Sequence, residues 1–460
     1  IGFKPDIIHC HDWQTGLIPV YLHDSFQSDP FFWGIKTIFT IHNLKFQGTW
    51  SVDTIKGFSG LSDYYFTSDK LEAYGNGNML KGGLVYADRI TTVSRSYASE
   101  IRMPFYGEGL DGLLRARSKQ LSGIVNGIDY NVYNPKTDKN IAVNYSVEDV
   151  IKAKAANKTA LQKELGLEEN PDAFMLGIVS RLTDQKGLDL VECVLDQICA
   201  EDVQLVVLGT GEGKYQDMFT YYSRKYPERV SANIFYSEAL SHRIYASCDA
   251  FLMPSLFEPC GLSQLMSLRY GTLPIVRETG GLRDTVTPYN EVDGTGTGFS
   301  FTNYNAHEML AIIRYAKKTY FNDRKAWNEM VLRAMKQDFS WDASAREYEK
   351  LYDGLIEEEA RRKEAIRLQQ AREAAEAALK EAEKALELAK RAEEKAIRKF
   401  NGIEDEQEDE KIKTAEAPEE DLEAEGSEPE EVSETPEAAP EPDEALEVSE
   451  TSETSVKAKE

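Results

Sequence analysis

The sequence predicts an α/β protein built from two doubly wound halves that face a crevice, followed by a long helix and an acidic tail. Three observations predict it. Apolar, β-branched runs alternate with helical patterns through the first 350 or so residues, that alternation breaks once near its middle, and no strand pattern returns after about Tyr348. Runs apolar on both faces suit buried parallel strands with helices on either side of each sheet.

In order, the expected strands of the first half are Asp6–Cys10, Lys36–Ile41, Arg89–Val93 and Ser122–Val125. Between Asn134 and Val150 the pattern dissolves into Pro, Asn, Asp and Lys, which marks a hinge. A helix over Lys152–Leu165 then leads into Met175–Ser180, Val203–Leu208, Val230–Tyr236, Ala250–Met253 and Leu273–Val276. The chain therefore divides into residues 1–150, 151–350, 351–400 and 401–460. In the third segment Ala recurs at 371, 375, 378, 382, 385, 389, 392 and 396, a heptad stripe on a long helix whose exposed faces carry Glu376–Lys380, Glu387–Arg391 and Glu394–Arg398 pairs. An Ala seam buries little area, so a self-supporting solvated helix and a coiled coil both remain open, and the helix is expected to dock weakly on the two α/β halves. From Asn401 onward Glu, Pro, Ser and Thr dominate, which predicts disorder.

Charge follows this division. Of the net −26, residues 401–460 contribute −20 (24 acidic against 4 basic side chains), leaving −6 for residues 1–400. Acidity is thus a property of the tail, and no basic footprint for nucleic acid exists. No apolar run reaches the ~18 residues of a membrane span. The five cysteines, Cys10, Cys193, Cys199, Cys248 and Cys260, lack paired or C-x-x-C spacing, which reads as reduced thiols in a cytoplasmic protein and indicates no zinc site. The chain opens on Ile1 almost directly at a strand, with no signal peptide pattern, as a fragment lacking earlier strands would.

Polar residues and glycines fall just after the apolar strands, where doubly wound sheets place ligands. In the second half these are Arg181 and Lys186, Gly209-Thr210-Gly211, Glu258-Pro259-Cys260-Gly261, and Thr279-Gly280-Gly281; in the first half, His11-Asp12 and His42-Asn43. Arg181 and Lys186 suit a diphosphate whose leaving charge they neutralise; standing alone they would pass for solvated cations. Glu258 suits sugar hydroxyls, or equally a helix-dipole carboxylate. For His42 a sugar contact and an interior role weigh alike, whereas His11 reads as structural. Cys260 has no neighbouring His to activate it and reads as packing. The Gly209-Thr210-Gly211 turn lacks the rest of a dinucleotide fingerprint.

Six stretches, His11–Leu17, Thr40–Leu44, Val125–Asp129, Ser180–Gly187, Phe257–Leu262 and Thr279–Leu282, resemble those of bacterial glycogen synthases and plant starch synthases, in order and over residues 1–350. The resemblance implies a GT-B fold and a retaining glycosyltransferase that moves glucose from ADP-glucose to the non-reducing 4-hydroxyl of an α-1,4-glucan. It also implies roles. Arg181 and Lys186 would contact the diphosphate, Glu258 and His42 the donor glucose, and Asp12 would lie near the acceptor. Tyr236 would stack on adenine, and Gly280, Gly281 and Leu282 would approach the donor through their backbone. Asn126, Gln185, Cys260, Gly261 and Thr279 complete the substrate-facing set. No metal and no cofactor are implied, since the cations replace a divalent ion. Two departures stand out. The family's Lys-x-Gly-Gly-Leu donor motif is missing, and Lys81-Gly82-Gly83-Leu84 lies in a later helix without the spacer. Wider GT-B enzymes carry a second acid eight residues after the first, where this chain has Met266. Competing readings are a non-catalytic glucan-binding scaffold, with helix and tail recruiting a protein partner, and a GT-B transferase using another nucleotide sugar.

Overall fold

The structure is a computed structural model that describes residues 2–402. The first half is built on a four-stranded parallel sheet, ordered Ile7–His11, Lys36–Ile41, Arg89–Thr92, Leu121–Gly123. A small antiparallel sheet of Thr49–Trp50, Asn76–Asn78 and Glu72–Ala73 interrupts it. These strands are two or three residues long, too short to leave a period in the sequence.

The second half holds a six-stranded parallel sheet. In spatial order its strands are Val230–Asn233, Val203–Leu208, Phe174–Val179, Ala250–Met253, Leu273–Arg277 and Phe299–Phe301. Numbered within this sheet, that order is 3-2-1-4-5-6, which reverses direction between Phe174–Val179 and Ala250–Met253 and opens a crevice at their carboxyl ends. All six residues of Val203–Leu208 are buried, as a strand covered on both faces requires. The expected strand over Val230–Tyr236 ends early at Asn233, leaving Phe235 and Tyr236 in an exposed loop. The edge strand Phe299–Phe301 is an addition.

The stretch after Asn134 is not loosely held. The buried Asp138 carboxylate lies 2.6 Å from His242 Nδ1 and accepts from the Tyr270 hydroxyl at 2.6 Å, and the Tyr145 hydroxyl donates to the Tyr270 carbonyl. The chain returns to the first half beside this crossover, where Ile128 N–H donates to the Phe339 carbonyl at 2.8 Å. Gly127 is required there, because a Cβ would sit 2.4 Å from the Trp341 nitrogen.

The last helix begins at Trp341 and runs to Phe400, earlier than the alanine stripe suggests. Its opening turns, which precede the alanine stripe and were not anticipated, are docked. Ser344 donates to the Val125 carbonyl, Tyr352 Oη lies 2.8 Å from His9 Nδ1, and Leu355 is buried. The Glu359 carboxylate, also buried, pairs with Lys36 at 3.1 Å and Arg362 at 2.8 Å, and is held down at about 2 by those cations. The chain divides into two compact units, residues 1–370 and 371–460. In the second unit the described helix is exposed throughout, with Arg372–Glu376 and Glu387–Arg391 pairs on its surface. The acidic tail expected over 401–460 lies, beyond residue 402, outside the described residues. No helix among the described residues is long and apolar enough to cross a membrane.

Candidate active site at the sheet switch point

Lys186 and Glu258 leave the two strands that flank the sheet's reversal, and the fold brings them together. Lys186 Nζ donates to Glu258 Oε2 at 2.6 Å, and the buried Ser255 hydroxyl donates to the same oxygen at 3.0 Å. Both charged side chains are largely covered, so the pair is strongly coupled and intolerant of losing one partner. Arg181, by contrast, is exposed and has no ion-pair partner among the described residues. It borders a cavity of about 350 Å³ lined also by Gly209, Thr210, Tyr236 and Met266. The Tyr236 side chain is 86% exposed, so its ring is free to receive a planar group.

The loop carrying Glu258 is braced from several sides. Gln185 donates from its side chain to the Phe257 carbonyl at 3.3 Å and accepts from the Leu256 N–H at 2.9 Å. Arg277, at the end of its strand, donates to the Ser255 and Leu256 carbonyls and reaches the Tyr106 hydroxyl of the first half at 3.2 Å. Gln185 thus supports the loop. Cys260 is buried and meets the Asn126 backbone; burial pushes its thiol up to about 12, so it stays protonated and packs. Gly261, at φ 73°, lets the chain turn where a Cβ would meet the Gln264 amide.

Gly280, Gly281 and Leu282, expected to approach the donor through their backbone, and Thr279, expected to face the substrate, make a set of contacts within the protein. Their polar groups are already engaged: Thr279 Oγ1 and Gly280 N–H donate to Glu100, Gly281 N–H donates to the Glu258 carbonyl at 3.0 Å, and Leu282 N–H to the Thr279 carbonyl. A Cβ on Gly280 would lie 1.9 Å from the Glu258 carbonyl, and one on Gly281 2.0 Å from that of Cys260. These glycines seat the Glu258 loop by close backbone approach.

On the first half, Asp12 follows the strand Ile7–His11 at φ 54°, and its carboxylate accepts the His42 N–H at 2.8 Å. His42 Nε2 lies 3.0 Å from His11 Nδ1, and His11 stacks on His9 at 4.3 Å. His11 is therefore an exposed neighbour of His42 at the sheet edge. Burial, and then the other imidazoles, lower His9 to about 4; burial foremost also lowers His11. Lys81 does not join either group, for its ammonium is held by the Ser68 and Glu72 carbonyls.

Sequence reasoning missed Ser255, Arg277 and Glu100. A cation closing a buried strand was the available signal for Arg277; Glu100, an ordinary acid at a helix end, offered none. Among the described residues no group of three or more His, Cys, Asp or Glu side chains is placed to hold a metal ion.

Residues 1–116 match the family described as "Starch synthase catalytic domain", and residues 159–331 that described as "Glycosyl transferases group 1". The glycogen synthase of Lachnospira eligens is 69% identical over 355 residues, covering 77% of this chain and 74% of that protein. That of Lachnoclostridium phytofermentans is 64% identical over the same coverage. Among solved structures, the catalytic domain of starch synthase IV from Arabidopsis thaliana, bound to ADP and acarbose, aligns with a TM-score of 0.72 at 35% identity, covering 77% of this chain and 74% of that one. With the reversed sheet, the paired Lys186 and Glu258 and these relatives in hand, the chain belongs to the glycogen synthase and starch synthase family of GT-B glycosyltransferases.

Proposed function

We propose that the protein transfers glucose from ADP-glucose to the non-reducing 4-hydroxyl of an α-1,4-glucan with retention of configuration, in the cytoplasm and without metal or cofactor. The observation that carries this is the Lys186–Glu258 pair at the switch point, beside a cavity edged by Arg181 and Tyr236. ADP binding in the Arabidopsis relative supports the nucleotide, and its acarbose supports a glucan acceptor.

In this reading the diphosphate takes Arg181 and Lys186. As the bond from glucose C1 to the β-phosphate oxygen breaks, the two cations stabilise the charge on the departing ADP. The acceptor oxygen bonds to C1 on the same face, and its proton passes to the departing phosphate. Glu258 orients glucose hydroxyls. His42 contacts the sugar from the first half, with Asp12 fixing its backbone and lying toward the acceptor. Tyr236 stacks on adenine. Asn126, Cys260 and Gly261 contribute the walls around the sugar.

The test is incorporation of labelled glucose into glycogen by the full-length protein, from ADP-glucose and from UDP-glucose, each with and without EDTA. Transfer from ADP-glucose that survives EDTA is expected. Absence of transfer, preference for UDP-glucose, or loss with EDTA that magnesium restores would each overturn the corresponding part.

A further inference from the structure

The two halves are joined beside the donor site by a reciprocal exchange between two short helices, Arg95–Glu100 of the first half and Gly280–Thr285 of the second. They lie head to tail. Glu100, the last residue of one, accepts the Gly280 N–H at 2.8 Å and the Thr279 hydroxyl at 3.1 Å, at the start of the other. Asp284, near the end of that second helix, accepts the Ser96 N–H at 2.9 Å and the Ser96 hydroxyl at 2.5 Å, at the start of the first. A third contact joins them where the buried Ser94 hydroxyl donates to the Pro259 carbonyl at 2.6 Å.

Each carboxylate thus satisfies amides that a short helix leaves unpaired, and does so across the junction of the halves. Thr279 and Ser94 are fully buried, so no water replaces the bonds of these two hydroxyls while the halves stay docked, whereas the Asp284–Ser96 bonds lie at the surface. The exchange ends at the reacting pair. Gly281 N–H holds the Glu258 carbonyl, Gly280 packs so closely on it that no side chain would fit between, and the Glu258 side chain holds Lys186.

We propose that Glu100 is a positioning residue for glucosyl transfer: docking of the first half, through Glu100 on Thr279 and Gly280, sets the Glu258 loop in its reactive place. The residue touches no reacting atom and acts through the Gly280–Gly281 turn. This rests on the proposed function for the reaction it serves. Because misplacing a reacting group by about 1 Å can cost up to ~10²-fold, loosening the turn acts on turnover more than on nucleotide binding, in which Lys186 is joined by Arg181 and Tyr236, both carried outside the Glu258 loop.

Glu100→Ala and the near-isosteric Glu100→Gln are compared with the unsubstituted full-length protein by three measurements: kcat for glucosyl transfer, ADP affinity by calorimetry, and hydrogen exchange over residues 278–285. For Glu100→Ala the expected result is kcat lower by about ten- to a hundredfold, ADP affinity within about twofold, and faster exchange over 278–285. Glu100→Gln keeps one acceptor for Gly280, so it falls between; if the alanine variant does not fold, a kcat reduced at least threefold in the glutamine variant carries the test. A kcat within twofold for Glu100→Ala, a parallel loss of ADP affinity, or unchanged exchange overturns the proposal. Failure of the unsubstituted protein to use ADP-glucose overturns the proposed function instead, and the exchange measurement, which needs no donor, then decides whether Glu100 holds the turn.

Discussion

The carboxyl edges of the two sheets carry different chemistry. The second half presents fixed charge: Arg181 in the open, and Lys186 drawn onto a buried Glu258 that Ser255 also holds. The first half presents imidazoles, stacked and hydrogen-bonded to one another, with His9 and His11 lowered so that these two stay uncharged near neutral pH. In the proposed reaction this difference would divide the labour: the cations of the second half would stabilise the charge that develops on the leaving diphosphate, whereas the uncharged His9 and His11 beside His42 add no competing cation.

The comparison breaks most sharply if the charged edge is removed. Lys186→Ala and Glu258→Ala are each expected to lower kcat by about 10²–10³, the cost of one contact to developing charge, with the folded state verified by its melting transition. A folded variant with near-normal kcat would remove that residue from the chemistry.

A second test addresses what holds the neutral edge in place. Glu359 anchors the last helix to Lys36 beside the first sheet, so Glu359→Ala should destabilise by roughly 1–3 kcal/mol in denaturant unfolding, with less effect on ADP affinity. Acid separates the two anchors. His9 is depressed to about 4, so its unfolded form binds the proton first, and its contribution, complete above about 6.5, is lost as pH falls toward 4. Glu359 is depressed to about 2, so its contribution, present above about 4.5, is lost only between there and 2. His9→Gln should flatten the upper part of the stability profile and leave the lower part in place.

A smaller effect is expected at the rim. Tyr236→Ala should raise the donor KM up to about tenfold with little change in kcat, because stacking contributes ~0.5–1.5 kcal/mol and acts equally before and during reaction. The smallest belongs to the second unit. Ending the chain at Gln370 should change kcat and donor KM by less than about twofold, whereas a cut before Tyr352 removes docked turns and should cost far more. A tenfold loss from the Gln370 truncation would place the exposed helix in the catalytic unit.

Much of this was legible in the sequence. The strands Lys36–Ile41, Val203–Leu208 and Ala250–Met253 begin and end where their apolar runs do, because buried parallel strands admit little else. Arg181, Lys186 and Glu258 could be placed after strands for the same reason, and the long alanine-rich helix followed from composition. Its start did not, since Trp341–Leu355 is specified by what it packs against and not by the alanine stripe.

What the sequence determined by itself is what depends on neighbours along the chain: the period of the strands, the motifs that follow them, and the segregation of acid into the tail. Tertiary structure alone decided which distant groups became partners. Lys186 and Glu258 are 72 residues apart, and Glu100 and Gly280 are 180 apart. The same Gly280-Gly281 pair that reads as a donor contact becomes the seat of the Glu258 loop once Glu100 takes its first amide. The physical reason is that a buried polar group must find a partner, and the sheet order and the docking of the two halves determine which one lies within reach.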